Sequence, residues 1–164
     1  MPITPSMLQS SSRLRRAMIC WLYAVALGHL VVSLFLTWGG HTAPAAAYLA
    51  RIEAVFWPGA VPAHTRELQQ WWMSLFGATL QSYSVFMLVL VHLGNTLRAP
   101  GAWLGMMAGV LLWAPQDMYF SLSSGMTVNA WIDAAALLVL LVPVVWLYRH
   151  DRSRAPATTP GTRA

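Results

Sequence analysis

The sequence has few charged residues, a single cysteine and no lysine. Only 9% of its 164 residues are charged and 57% are hydrophobic, whereas about a quarter of the residues in an ordinary soluble domain are charged. A soluble fold of this length exposes too much surface to water for such a composition. The same apolar content excludes a disordered chain, and Cys20 alone cannot form an intramolecular disulfide. The composition therefore predicts an integral membrane protein.

The basic residues are all arginine, and the formal net charge is +5. In a soluble protein this excess could indicate nucleic-acid binding. Here the arginines lie mostly at the ends of apolar runs, which is the arrangement that orients membrane proteins. We therefore predict no nucleic-acid partner. Arginine without lysine is also typical of a GC-rich bacterial genome.

Recognised catalytic and cofactor motifs are missing as well. The sequence has no nucleophile elbow, no glycine-rich dinucleotide or phosphate loop and no H-E-x-x-H motif. His29 and His92 invite a bis-histidine haem site, but at the helical rise per residue their predicted depths differ by about 15 Å. No histidine spacing matches a recognised metal motif. We therefore expect neither haem nor a metal site.

Four apolar runs are long enough to cross a bilayer. A hydrocarbon core about 30 Å thick needs about 20 residues in a helix, and backbone groups in lipid must be hydrogen-bonded within the segment. The predicted fold is therefore an all-α bundle of four transmembrane helices. These spans are expected over residues 17–38, 71–94, 102–122 and 128–148. The first run is longer than the apolar region of a cleaved signal peptide, which favours an uncleaved anchor.

The arginines predict how the spans are oriented. Arginines precede the first span, follow the fourth and occupy the short turn at Arg98, and in short loops such residues favour the cytoplasm. Both termini are therefore expected in the cytoplasm of a bacterium, with the helices in its inner membrane. The expected organisation is a cytoplasmic segment 1–16, a membrane domain 17–148 and a disordered cytoplasmic tail 149–164.

The first periplasmic loop predicts a short amphipathic helix. Thr42 can cap its start, and Pro44 suits an early helical position. The helix either lies in the outer membrane interface or packs as a lid over the bundle. Thr65 is the expected cap of the second span. The apolar face of the short loop helix is predicted to contain Ala45, Tyr48, Leu49, Ile52, Val55 and Phe56.

Small residues at four-residue spacing predict close helix packing, either inside one bundle or between protomers. Pro115 and Pro143 lack a backbone N–H and are expected to bend the third and fourth spans. The packing residues are Gly101, Gly105 and Gly109 on the third span and Ala24 and Gly28 on the first.

Two acidic residues lie within the predicted membrane spans, where ionisable groups are costly and are candidates for function. Asp117 and Asp133 fall at matching depths, near the outer ends of adjacent antiparallel spans. They could form a ligand-binding or proton-handling site, or be structural, stabilised by a helix dipole or by Arg51 or Arg66 of the loop. We favour the structural alternative. The candidate polar cleft also includes Gln116, Asn129, Gln81 and His29.

Short polar motifs interrupt the third and fourth spans. They are Pro115-Gln116-Asp117 and Trp131-Ile132-Asp133. Together with the chain length, the arginine-rich start and the four spans, this pattern resembles small four-helix bacterial inner-membrane proteins of the BphX-like and DoxX-like kind, over roughly residues 13–152. Some DoxX-like proteins are associated with membrane redox complexes or quinone chemistry, so the resemblance implies a possible accessory redox role.

Three functions remain open from the sequence. The first, which the missing catalytic motifs favour, is a non-catalytic accessory protein that binds a small apolar ligand or packs with a membrane-protein partner or with copies of itself. The second is a quinone-binding subunit of a redox complex. The third is a transporter or channel component, which would need oligomerisation. No cofactor is predicted for the first function, and quinone is the cofactor of the second.

Reporters fused at Met1 and at Ala164 test the predicted orientation. We expect a fluorescent protein that folds only in the cytosol to be bright at both termini, and alkaline phosphatase, which is active only outside it, to be inactive at both. Reports from opposite faces would contradict an even number of spans. Active alkaline phosphatase at both termini would mean that the orientation of the spans is the reverse of the predicted one.

Overall fold

The computed structural model describes residues 5–154, with side chains from residue 11 onward, and this part of the chain is almost entirely helical. No strand occurs within it, so the predicted all-α class is confirmed. The helices are α1 (Pro5–Trp38), α2 (Ala43–Phe56), α3 (Thr65–Thr96), α4 (Pro100–Ser123) and α5 (Thr127–Arg152).

The four long helices pack as a ring. α1 packs most extensively against α3, and α4 packs most extensively against α5, while α3–α4 and α1–α5 contacts close the ring. Side chains from the start of α1 and α4 meet side chains from the end of α3 and α5. Successive long helices are therefore antiparallel.

Three helical segments are long and apolar enough to cross a membrane, which indicates a membrane protein. They are Ser11–Trp38, Thr65–Thr96 and Thr127–Arg152. α4, which contains the expected third span, is not among them. Gln116 and Asp117 lie in its second half and lower its hydropathy.

The helices extend beyond the predicted spans. α1 continues through the arginines of the expected cytoplasmic segment, and α5 continues to Arg152, into the expected disordered tail. Residues 155–164 of that tail lie outside the described residues. Because helical hydrogen bonding can continue in water, the end of an apolar run does not mark the end of a helix.

The expected helix caps differ in detail. The N-cap of α3 is His64, in a left-handed conformation with φ 62°, so the prediction of Thr65 is wrong by one residue. Thr42 is the N-cap of α2, but its hydroxyl donates to the carbonyl of Gly39 rather than capping the helix.

The core lies along the axis of the ring, and large apolar side chains also cover its outside. Val31 is 67% exposed and Leu112 is 70% exposed. Apolar surface on this scale suits lipid rather than water. The largest fully buried members of this core are Leu22, Val91, Trp103, Val110, Leu140, Val144 and Leu147.

The short helix α2 packs across the ends of α1 and α3. Ala45 and Leu49 are buried against Met73 of α3. Arg66 donates from Nε to a carboxylate oxygen of Glu53 at 2.7 Å, which ties α3 to α2. The short helix is thus confirmed, and its location in the outer membrane interface stays a prediction.

Pro143 releases a backbone carbonyl that another helix satisfies. In an uninterrupted helix the N–H at position 143 would donate to the carbonyl of Val139, and proline lacks that N–H. Trp21 of α1 donates its indole N–H to this carbonyl at 2.9 Å. The carbonyl that lacks its helical hydrogen bond in α5 thus joins α5 to α1.

A buried ion pair joins the arginine-rich ends of the helices. The Nε and Nη2 atoms of Arg15 each donate to a carboxylate oxygen of Asp151, both at 3.0 Å. The two side chains are 6% and 1% exposed. Arg15 also donates to the side chain of Asn95 and to the carbonyl of Gly94, so this single guanidinium contacts both α3 and α5.

The indole of Trp103 completes the network from α4. Its N–H donates to Asp151 at 3.0 Å. The ring lies over Gly94, where an added Cβ would come within 2.5 Å of it. Glycine at position 94 is therefore required for α4 to approach α3 at this point. All four long helices meet in this Arg15–Asp151 network.

Arg15→Gln tests the network. The change removes the guanidinium that binds both oxygens of the buried Asp151 and leaves it with His150 and, at 3.7 Å, the exposed Arg98. We therefore expect the free energy of unfolding to fall by about 3 kcal/mol. Thermal unfolding in detergent measures the loss. Arg13→Gln, at an exposed arginine of the same helix, is the control and should change stability by less than about 1 kcal/mol. Equal effects of both changes would contradict a structural role for the network.

Candidate functional site

The two predicted carboxylates lie near each other at the end of the ring opposite the Arg15–Asp151 network. Asp133 of α5 is buried, with 7% exposure, and its Oδ2 has no hydrogen-bond partner among the described residues. Asp117 of α4 is close enough for the two charges to interact. Asp117 accepts a hydrogen bond from the indole N–H of Trp113 at 3.0 Å. It therefore has a partner, whereas Oδ2 of Asp133 has none in the described part of the chain.

The loop arginines do not neutralise these acids. Arg66 forms its ion pair with Glu53, and Arg51 is exposed without an ion pair in the described part of the chain. No group of three or more histidine, cysteine, aspartate or glutamate residues in that part is arranged to hold a metal ion.

Asn129 and Gln116 have separate surroundings. The side-chain amide of Asn129 donates to the hydroxyl of Tyr48 at 3.2 Å, which links α5 to α2. Gln116 is exposed and donates to the carbonyl of Leu112 in its own helix. It does not face the acids.

Gln81 and His29 lie on the α1–α3 side of the ring. The amide of Gln81 donates to the hydroxyl of Thr37 at 2.8 Å. His29 forms a hydrogen bond through Nδ1 with the carbonyl of Val25, four residues earlier, and its ring meets Tyr83 edge-on. The six residues of the predicted cleft are thus distributed around the ring. Among them, only Asp117 and Asp133 lie close enough for their charges to interact.

The predicted small-residue faces point away from the rest of the described chain. A Cβ added at Gly28, Gly101, Gly105 or Gly109 would meet no atom within 4 Å, and Ala24 is exposed. Packing between protomers through these faces stays a prediction.

The close approach of α1 to α3 depends instead on Gly77. A Cβ at this position would lie 2.6 Å from the backbone nitrogen of Thr37. Gly77 has no partner glycine at four-residue spacing, so the pattern that signals a packing face did not reveal it.

An apolar pocket lies beneath α2 and was not predicted. It has a volume of about 530 Å³, within the range of small-molecule sites. Most of its lining residues belong to α2 and α3, and Leu36 of α1 also contributes. The remaining lining residues are Tyr48, Leu49, Ile52, Phe56, Trp57, Leu68, Gln69, Trp72, Met73 and Phe76.

Gln69 is the residue of this lining whose side-chain amide is buried. Both its Nε2 and Oε1 are buried and have no hydrogen-bond partner within the described residues. The neighbouring Gln70, in contrast, donates to the carbonyl of Gly40 at 3.0 Å. Buried amides are normally paired, so the unpaired carboxamide of Gln69 is the polar feature that marks this pocket.

Comparison with known proteins gives no relative for this chain: no protein-family model, curated protein or solved structure matches it. The resemblance to BphX-like and DoxX-like proteins therefore stays a prediction. Function has to be argued from the pocket and the polar groups themselves.

Asp133→Asn tests whether the unpaired acid is structural. The amide removes a buried charge that has no partner and that faces Asp117, so we expect the free energy of unfolding to rise by about 1 kcal/mol at neutral pH. Thermal unfolding in detergent is the measurement, and Asp117→Asn, which alters a carboxylate that has a partner, is the comparison. Lower stability of Asp133→Asn would mean that its carboxylate makes a stabilising interaction.

Proposed function

We propose that all four long helices cross the inner membrane of a bacterium, with both termini in the cytoplasm. The connectivity of the ring supports a fourth span. The end of α3 and the end of α5 contribute to the same network through Asn95 and Asp151, so the start of α5 lies at the opposite end of the ring. Helix α4 joins the end of α3 to the start of α5 through two short loops. It must therefore cover the same distance as its neighbours.

The length of α4 and its exposed apolar side chains support this arrangement. Its 24 residues extend about 36 Å at the helical rise, which exceeds the thickness of a hydrocarbon core. Leu104, Leu111 and Leu112 are exposed on its outside, where lipid would cover them. In this orientation the arginine-rich network lies at the cytoplasmic face, and α2 lies at the outer face.

The function that the geometry supports best is binding of a small apolar molecule by a non-catalytic membrane protein. The pocket between α2 and α3 is the observation that carries this proposal. Its walls are almost wholly apolar, and the side chains at its mouth are exposed: Phe56 is 50% exposed and Trp72 is 59% exposed. A ligand dissolved in the outer half of the bilayer could thus enter between α2 and α3 without crossing water.

A quinone-binding redox subunit is the second candidate. Trp57 and Trp72 offer aromatic surfaces, and the amide of Gln69 could donate to a ring carbonyl. A transporter or channel function has less support, because the polar side chains of the predicted cleft lie around the ring rather than along one path within the described residues.

Ile52→Phe tests the pocket by filling it. The probe is bromododecane, whose bromine quenches the fluorescence of a nearby tryptophan, added to protein in phosphatidylcholine nanodiscs. We expect saturable quenching in the wild type, from Trp57 and Trp72, above the linear background of lipid-facing tryptophans. The larger side chain should weaken the saturable component by about tenfold or more, equivalent to 1.4 kcal/mol.

Ala54→Phe is the matched control, since Ala54 is an exposed residue of α2 that does not line the pocket. It should bind the probe as the wild type does. Purely linear quenching in the wild type, or equal weakening by both changes, would contradict ligand binding in the pocket.

A further inference from the structure

We propose that the ligand of this pocket carries one uncharged head group that both donates and accepts a hydrogen bond, as a hydroxyl does, and that Gln69 recognises it. This inference rests on the proposed function and specifies the chemistry of the ligand. It is carried by the coincidence of an apolar pocket with a glutamine in its lining whose covered amide atoms have no partner among the described residues.

The state of Gln69 indicates what the head group must offer. Its amide nitrogen and its amide oxygen are both unpaired among the described residues, so both N–H donors and the carbonyl acceptor are unused. A hydroxyl supplies the complementary pair, accepting from the nitrogen and donating to the oxygen. A hydrocarbon supplies neither, and an ether or an ester supplies only an acceptor.

The surroundings argue against a charged head group. Apart from Gln69, the polar groups in the lining side chains are the hydroxyl of Tyr48 and the indole N–H groups of Trp57 and Trp72, and none of these is charged. The hydroxyl of Tyr48 is already hydrogen-bonded to Asn129. Arg66 and Glu53 neutralise each other in an ion pair, and Arg51 does not line the pocket. A carboxylate, phosphate or ammonium group held here would be desolvated without a counter-ion, which is strongly unfavourable.

Binding requires the side chain of Gln69 to turn. Both terminal atoms are covered in the structure, so a ligand reaches them only after a rotation of the glutamine side chain toward the pocket. The unpaired amide favours that rotation, because no hydrogen bond within the described residues has to be broken. Gln70, which is tied to the carbonyl of Gly40, lacks this freedom.

The test compares two probes of equal chain length in phosphatidylcholine nanodiscs. One is bromododecanol, which carries a terminal hydroxyl and a terminal bromine, and the other is bromododecane. The saturable quenching of tryptophan fluorescence gives the affinity of each. We expect the wild type to bind the alcohol about tenfold more tightly than the bromoalkane, relative to their partitioning into protein-free nanodiscs.

Gln69→Leu should abolish this preference and leave the affinity for bromododecane unchanged or higher. Gln70→Leu is the matched control and should keep the preference. Gln69→Met, which retains the unbranched shape of glutamine, provides the same comparison if the leucine variant is poorly folded.

The outcomes separate this inference from the proposed function. Saturable binding of both probes with equal affinity would overturn the hydroxyl preference and leave apolar-ligand binding intact. A preference that persists in Gln69→Leu would overturn the role of Gln69. No saturable binding of either probe would overturn the pocket as a ligand site. The comparison of the two probes in the wild type tests the hydroxyl preference without any variant.

Discussion

The ion pair between Arg15 and Asp151 is the interaction on which the arrangement of the long helices depends. Two charges removed from water are tolerated only when they are paired and their remaining hydrogen-bonding groups are satisfied, and here satisfaction requires groups from every long helix. Arg15 comes from α1 and Asp151 from α5, while α3 contributes Asn95 and α4 contributes Trp103. A shift of α1, α4 or α5 would break the ion pair or leave the buried indole of Trp103 unpaired, and a shift of α3 would remove two hydrogen-bond acceptors from Arg15. Lipid provides no hydrophobic drive between helices, so polar contacts of this kind give the bundle its register.

The two ends of the ring differ in how their polar groups are satisfied. At the arginine-rich end, the buried Arg15 and Asp151 are paired with each other and with neighbouring helices. At the opposite end, Gln69 and Asp133 are buried without hydrogen-bond partners among the described residues. The first end therefore stabilises the bundle, and unpaired groups that a ligand could satisfy are concentrated at the other. This separation places the proposed binding site at the end covered by α2, away from the contacts that fix the fold.

The sequence predicted the elements more successfully than the site. Apolar runs and arginine-rich edges were sufficient for the all-α class, for the existence of the four long helices and for the short helix with Ala45 and Leu49 on its buried face. The polar cleft was predicted from depth alone, and depth does not specify which way a side chain points around a helix. Gln116 accordingly lies on the outside of α4. The same limit applies to the small residues. Gly101, Gly105 and Gly109 face outward, while the isolated Gly77 permits the close packing of α1 on α3.

Composition and the length of the apolar runs by themselves determined that this chain is helical and built for a membrane, since both properties follow from the cost of exposing apolar side chains to water and bare backbone to lipid. The partners of Arg15 and the lining of the pocket were decided only by the tertiary structure. Arg15 and Asp151 are 136 positions apart, and in the sequence each is indistinguishable from a charge at a membrane surface. The pocket exists because α2 folds back across α1 and α3 and leaves space beside Gln69. Such a juxtaposition has no local signal, because it is produced by the relative placement of helices rather than by the preference of any one segment.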